Sequence, residues 1–184
     1  VRSYLLYKHD AVTVGIDVYN IEAEALGCKV KFHEDNSVPG IISHPFSEAY
    51  HVDEISFSTD KGRIGMILNA AEGVRKRIGS YVNVSVGISG PFSICAELAG
   101  FEKLITDCID DEEMVHFLLE KVLAFQKDYC KEIIGRGLGV TLFESWAAPP
   151  LVSPGIYRMF AMPYERELIT YIKSLGVSYV PLVI

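Results

Sequence analysis

Short apolar runs rich in β-branched residues recur along this chain, and a helical stretch separates each from the next. Strands spaced this way cannot close into tight hairpins. They pair side by side and parallel, so the recurrence selects an α/β fold built on a parallel sheet. The runs are Ala11 to Ile16, Tyr81 to Ile88, Gly139 to Phe143 and Val177 to Ile184. Their apolar content suits strands buried on both faces. A further run, Cys28 to Phe32, alternates with polar residues and reads as an edge strand or an excursion from the sheet. Residues 1–184 are read as a single domain.

The most telling junction is Gly139 to Pro154, GVTLFESWAAPPLVSP. A buried strand ends on Glu144, Ser145 and the only tryptophan, Trp146, and a small-residue and proline loop follows. Ser153 at an N-cap and Pro154 at the first helical position then start a helix. Two other strands end in the same way, one at Asp17 and one at Ser89-Gly90, where Gly90 permits a tight turn and Pro91 opens a helix. In parallel α/β folds these carboxyl ends share one mouth, and chemistry sits there. A carboxylate and a hydroxyl in such a mouth can bind N–H donors or orient a substrate carbonyl.

The remaining elements follow from capping and periodicity. Residues 1–9 read as the end of a helix and residues 20–27 as a short helix closed by Gly27. The segment from His33 to Ser58 reads as irregular, the kind of long connection that covers a site. Asp60 to Ile78 is a glycine-weakened helix. The clearest helix runs from about Asp111 to Arg136, with Asp110 as its N-cap, Glu113 completing a capping box, and Met114, Val115, Leu118, Val122, Phe125, Tyr129 and Ile133 at helical spacing. A helix from Ser153 breaks at Met162-Pro163 and restarts at Tyr164.

Several chemistries are excluded. The net charge of −7 and the lack of any basic run beyond Arg75-Lys76-Arg77 argue against nucleic acid, and those three residues read as a solvated helix face. No apolar run approaches the roughly 18 residues of a membrane span, and residues 1–10 lack the apolar core of a signal peptide. Cys28, Cys95, Cys108 and Cys130 have no C-x-x-C spacing and no histidine two to four residues away, so they read as scattered core thiols in a reducing compartment, the cytoplasm. His33, His44, His51 and His116 lack converging partners and read as loop or packing residues. The turn at Gly87 to Pro91 is not a dinucleotide fingerprint, and Ser145 is not in a nucleophile elbow.

Taken in order, Gly15-Ile16-Asp17, Glu22 to Gly27, Gly90 to Ser93, Gly100 to Leu104, Asp110 to His116, Phe143 to Ala147, Leu151 to Pro154 and Phe160 to Tyr164 resemble the uroporphyrinogen decarboxylase superfamily. The resemblance covers nearly the whole chain. It implies a TIM-type (β/α)₈ barrel; a full barrel takes about 250 residues, so this chain would hold roughly the first two-thirds.

Two activities occur on that scaffold. One is cofactor-free decarboxylation of uroporphyrinogen III, a step of porphyrin biosynthesis. The other is zinc-dependent methyl transfer between a methylated corrinoid (methylcobalamin) protein and a thiol such as coenzyme M. The resemblance matches Asp17 to the aspartate that binds the pyrrole N–H groups in the decarboxylases and Ser145 to their serine, so these two are read as catalytic; Ser89, Gly90, Glu97, Glu144 and Trp146, at or near the strand tips, are read as substrate-binding. The chain departs from the decarboxylase pattern where Glu97 stands for a tyrosine, Trp146 stands for a histidine, and the arginine-rich N-terminal loop is missing. An octacarboxylate substrate needs cations, and few lie near these tips. The wording Glu22 to Cys28 and Gly90 to Ser93 favours the methyltransferase branch. Its zinc-binding His-x-Cys would begin just past Ile184, so no metal ligand is expected in this chain. The partners implied are a corrinoid protein and a small thiol, or a porphyrinogen. A non-catalytic barrel, or one working as a homo-oligomer, would instead expose an apolar patch for another copy to cover. The enzyme reading requires Asp17, Glu97 and Ser145 to line one cavity.

Overall fold

The computed structural model describes residues 1–15, 17, 20–35 and 37–184. Ile16, which the sequence places at the end of the first strand, lies outside these residues. The elements in order are α1 (Arg2–Tyr7), β1 (Ala11–Val14), α2 (Asn20–Ala25), β2 (Lys29–Lys31), β3 (Gly40–Ser43), α3 (Ile64–Ile78), β4 (Asn83–Ser89), α4 (Pro91–Ala99), α5 (Phe101–Asp110), α6 (Glu112–Gly135), β5 (Gly139–Phe143), α7 (Pro154–Ile156), α8 (Met162–Ser174) and β6 (Leu182–Val183).

The four strands that sequence periodicity picks out do form one parallel sheet, in the order β1-β4-β5-β6. Its faces differ. Val84, Val86, Ile88, Val140 and Leu142 bury against α3, α6 and α8 in one apolar cluster. The opposite face carries small and hydroxyl side chains. Thr13, Ser85 and Thr141 bond one another across three strands, with Ser85 Oγ 3.1 Å from Thr13 Oγ1 and 2.9 Å from Thr141 Oγ1. The strands are therefore apolar toward the helices and polar on the other side, rather than apolar on both.

A second cluster lies above the carboxyl ends of the strands. There α4, α5 and the first half of α6 bury Phe92, Leu98, Leu104, Val115, Leu118 and Val122 with Phe46 and Phe160. Each such fully buried side chain contributes about 2 kcal/mol of transfer free energy. Helix α6 thus joins both clusters: its first half faces α4 and α5, its second half the sheet.

Several boundaries depart from the sequence expectations for physical reasons. Helix α5 extends through Asp110, so the cap of α6 is Asp111, whose carboxylate accepts the Met114 N–H at 3.4 Å. The segment from His33 to Ser58 is not wholly irregular: β3 pairs antiparallel with β2 to make a separate two-stranded sheet, and Val52–Glu54 forms a 3-10 turn. No break occurs at Met162-Pro163. A π-helical stretch, Tyr157–Ala161, widens the backbone just before Pro163 and joins α7 to α8, which accommodates a residue that cannot donate to the ladder. Ser153 does cap α7, accepting the Ile156 N–H at 3.2 Å. Of Val177 to Ile184 only Leu182–Val183 pairs; the Pro181 carbonyl accepts from Leu142 N–H, but Pro181 has no N–H to return. Leu182, Val183 and Ile184 are exposed.

Candidate active site at the strand tips

Register decides which tips meet. Val14 is level with Val86, and Ser89 is level with Phe143. Asp17, Ser89-Gly90 and Glu144-Ser145 therefore emerge along one edge of the sheet, with β4 in the middle.

The β4 tip is gripped from three sides. From α2, Glu22 takes the Ser89 N–H at 2.8 Å on one oxygen and the Ser89 hydroxyl at 3.1 Å on the other. From α6, Gln126 Nε2 donates to the Ser89 carbonyl at 2.5 Å. From β5, Glu144 Oε1 accepts the Ser93 N–H at 2.7 Å, and Oε2 accepts the Phe92 N–H at 3.3 Å. Burial raises the Glu22 carboxyl above its ordinary range against these bonds. Burial likewise raises Glu144, opposed by its Ser93 bond and reinforced by the nearby Glu165 carboxylate, to about 8. The positive end of α4 favours the ionised form of Glu144, but desolvation wins.

Gly90 is not a turn glycine. Its φ of −74° and ψ of 161° are ordinary extended backbone. What requires glycine is space, since a Cβ there would overlap the Glu144 carboxylate.

Beyond Glu144 a 3-10 turn, Ser145–Ala147, carries Ser145 and Trp146. The Trp146 N–H donates to Ser93 Oγ at 3.3 Å, and its indole N–H donates to Glu97 Oε1 at 2.8 Å. Phe101 stacks on the indole with ring centroids 4.8 Å apart. Burial raises the Glu97 carboxyl, while Trp146 and His44 lower it. His44 Nδ1 and Cys28 Sγ both bond the Glu97 carbonyl, at 2.6 and 3.2 Å. His44 is thus a packing residue, and burial pushes the Cys28 thiol up to about 12, which removes it as a nucleophile.

At the β1 tip, Arg63 reaches Asp17 through Nη1 and Glu24 through Nε, the latter at 2.6 Å. Its guanidinium lies 4.9 Å from the ring centroid of Phe32. Asn20 joins this group, donating to Asp17 at 3.3 Å and to the Pro39 carbonyl at 2.9 Å. On the far side of the β5 tip, Glu165 accepts the Tyr157 hydroxyl at 2.8 Å, and burial raises its carboxyl too. The mouth is acidic, and Arg63 has two carboxylates of its own.

The site residues expected from sequence fall into three groups. Trp146 and Glu97 bond each other, and Ser145 adjoins them. Asp17 lies across β4 from that pair, bound to Arg63, and no hydrogen bond among the described residues links it to Glu97 or Ser145. Ser89, Gly90 and Glu144 are buried with their polar atoms engaged. Their hydrogen bonds hold the β4 and β5 tips together. Sequence reasoning missed Glu22, Arg63, Ser93, Gln126 and Glu165. Glu22 and Ser93 left a trace, within the Glu22 to Gly27 and Gly90 to Ser93 stretches that carry the resemblance. His116 packs as expected, with Nδ1 2.7 Å from the Tyr164 hydroxyl and its ring stacked on Phe160.

Among the described residues no three His, Cys, Asp or Glu side chains converge as a metal site. The described residues do not fit the zinc that the resemblance implies. No helix among the described residues is long and apolar enough to cross a membrane.

The sequence profile described as uroporphyrinogen decarboxylase (URO-D) matches residues 1–184. A methylcobamide:CoM methyltransferase MtbA of Methanosarcina mazei is 30% identical over 176 residues, covering 93% of this chain and 50% of that protein. A uroporphyrinogen decarboxylase of Chlorobium phaeovibrioides is 27% identical over 175 residues, covering 90% of this chain and 48% of that protein. Among solved structures, a methyltransferase from Methanosarcina mazei superposes with a TM-score of 0.86 at 20% identity, over 98% of this chain and 52% of its own. The chain spans about half the length of the relatives it matches, less than the two-thirds its length suggests. Its sheet is an incomplete barrel of their type.

Proposed function

Since the chain belongs to the uroporphyrinogen decarboxylase (URO-D) family, a family of enzymes, we propose that it is part of a methyltransferase moving a methyl group between a corrinoid protein and a thiol such as coenzyme M. The observation that carries this reading is the pairing of Arg63 with Asp17 and Glu24. The cation at the β1 tip is doubly neutralised, and the carboxyls of Glu97, Glu144 and Glu165 stand around the neighbouring tips. Arg63, already shared by Asp17 and Glu24, is poorly placed to bind a substrate with eight carboxylates, which needs cationic partners. The mouth tolerates a corrinoid carried by its protein and a small thiol.

In this reading Trp146 presents its indole to the bound ring, held flat by Phe101 and Glu97. Glu97, whose proton affinity burial raises, accepts the proton that a thiol must lose before attacking a methyl group. Asp17 and Ser145 remain the candidate catalytic residues. A bound methylcorrinoid would supply the methyl group, which the thiol sulfur would take while the donor keeps the electron pair of the broken bond. Four free, buried cysteines suit a reducing, cytoplasmic setting.

The second reading is uroporphyrinogen decarboxylation. It is favoured by Asp17 and Ser145 standing at the β1 and β5 tips, where the resemblance implies the decarboxylase groups.

One titration separates the two readings. Methylcobalamin absorbs where tryptophan emits, so its binding quenches Trp146, the only tryptophan. The expected result is saturable quenching by methylcobalamin and none by uroporphyrin III at equal absorbance. The reverse result overturns the methyltransferase reading. Methylation of coenzyme M from methylcobalamin, assayed beside uroporphyrinogen turnover, then tests the reaction itself.

A further inference from the structure

Glu144 stands between Phe143 and Ser145 at the β5 tip, yet it is fully buried. Its contacts close a ring. The Phe143 carbonyl accepts the Gly90 N–H at 2.6 Å, tying the end of β5 to the start of α4. Glu144 then takes the Phe92 and Ser93 N–H groups, two of the donors that a helix start leaves unpaired. The Glu144 carbonyl accepts the Ala147 N–H at 3.1 Å, which shapes the turn holding Ser145 and Trp146. Ser93 Oγ accepts the Trp146 N–H, and one turn further along α4 Glu97 takes the indole N–H. The orientation of Trp146 therefore depends on where α4 starts relative to β5, a position held by the Gly90–Phe143 backbone bond and by the Glu144 carboxyl.

We propose that Glu144 is a positioning residue: its carboxyl locks the Ser145–Ala147 turn onto the first turn of α4, and residue 90 is glycine to admit it. The consequence for ligand binding rests on the reading of Trp146 as the ring-facing side chain; the lock itself does not. Gly90 fits this role because its backbone angles suit any residue, so only the carboxyl beside it explains the missing side chain.

The test uses Trp146 emission and acrylamide quenching in the folded protein, with far-UV circular dichroism confirming the fold. No ligand is needed, so failure here is distinct from failure of the methyltransferase reading. Glu144→Ala should shift the emission to longer wavelength and increase quencher access. Gly90→Ala should do the same by displacing the carboxyl. The double variant should be no worse than either single one, because both remove one lock. Glu144→Gln keeps an acceptor for the Ser93 N–H and should restore the wild-type spectrum. If the alanine variants do not fold, Ser93→Ala tests the next link and should shift emission in the same direction. An unchanged spectrum in Glu144→Ala, or additive effects of Gly90→Ala and Glu144→Ala, overturns the proposal; so does an unchanged spectrum in Ser93→Ala. Methylcobalamin affinity, read by quenching, should fall about tenfold in Glu144→Ala, the worth of one neutral hydrogen bond, and recover in Glu144→Gln.

Discussion

Trp146 donates its indole N–H to Glu97 Oε1 at 2.8 Å, joining the β5 tip to the second turn of α4. This bond makes the single tryptophan a reporter on a carboxyl whose proton affinity burial raises. Emission of Trp146 should therefore titrate with a midpoint above the ordinary carboxylate range. Glu97→Gln, which still accepts the indole N–H, should abolish that titration and keep the emission maximum. A titration that persists in Glu97→Gln assigns it to another group.

The buried carboxyl of Glu144 predicts an unusual dependence of stability on pH. Its proton is held up to about pH 8 in the folded chain but lost in the ordinary carboxylate range once unfolded. Between these limits the folded state binds more protons, so stability is greatest at low pH and falls as pH rises through about 8. Burial of Glu22 and Glu165 acts in the same sense. Urea unfolding between about pH 5 and pH 9 should lose on the order of 4 kcal/mol from Glu144. Glu144→Gln should flatten the curve by that amount; an unchanged slope assigns the dependence elsewhere.

Arg63 holds Asp17 and Glu24 together, so removing it leaves two carboxylates facing each other. Each partner keeps some contact with solvent, which limits the cost. Arg63→Met should destabilise by about 1–3 kcal/mol in chemical denaturation. Adding Asp17→Asn should recover part of the loss, because one repelling charge goes. A double variant that is simply the sum of the two losses means that the ion pair carries no coupling.

Tyr129 is buried on α6, and its hydroxyl has no hydrogen-bond partner among the described residues. Its ring packs with Phe57 and Phe125, with centroids 5.7 and 6.4 Å away. Tyr129→Phe keeps the ring and removes an unsatisfied polar atom, so it should be neutral or stabilising by up to about 1 kcal/mol. Tyr129→Ala should cost about 3–5 kcal/mol. A loss above about 1 kcal/mol in Tyr129→Phe shows that the hydroxyl is satisfied in solution, by a water for example.

Periodicity and caps determined the parallel sheet, the long helix α6, the Ser153 cap and the polar residues at three strand tips, because those signals lie within a few neighbouring residues. The ordered resemblance to one family added the barrel type. Tertiary structure alone decided what the tip residues do. Ser89, Gly90 and Glu144 look like substrate groups in sequence, yet α2, α4 and α6 close over them. Asp17 looks free until Arg63, 46 residues later, is brought beside it. Glu22 and Glu165 look like surface acids until packing buries them. The reason is physical: a carboxyl's charge, partner and access depend on what folds against it from elsewhere in the chain, and no local pattern records that.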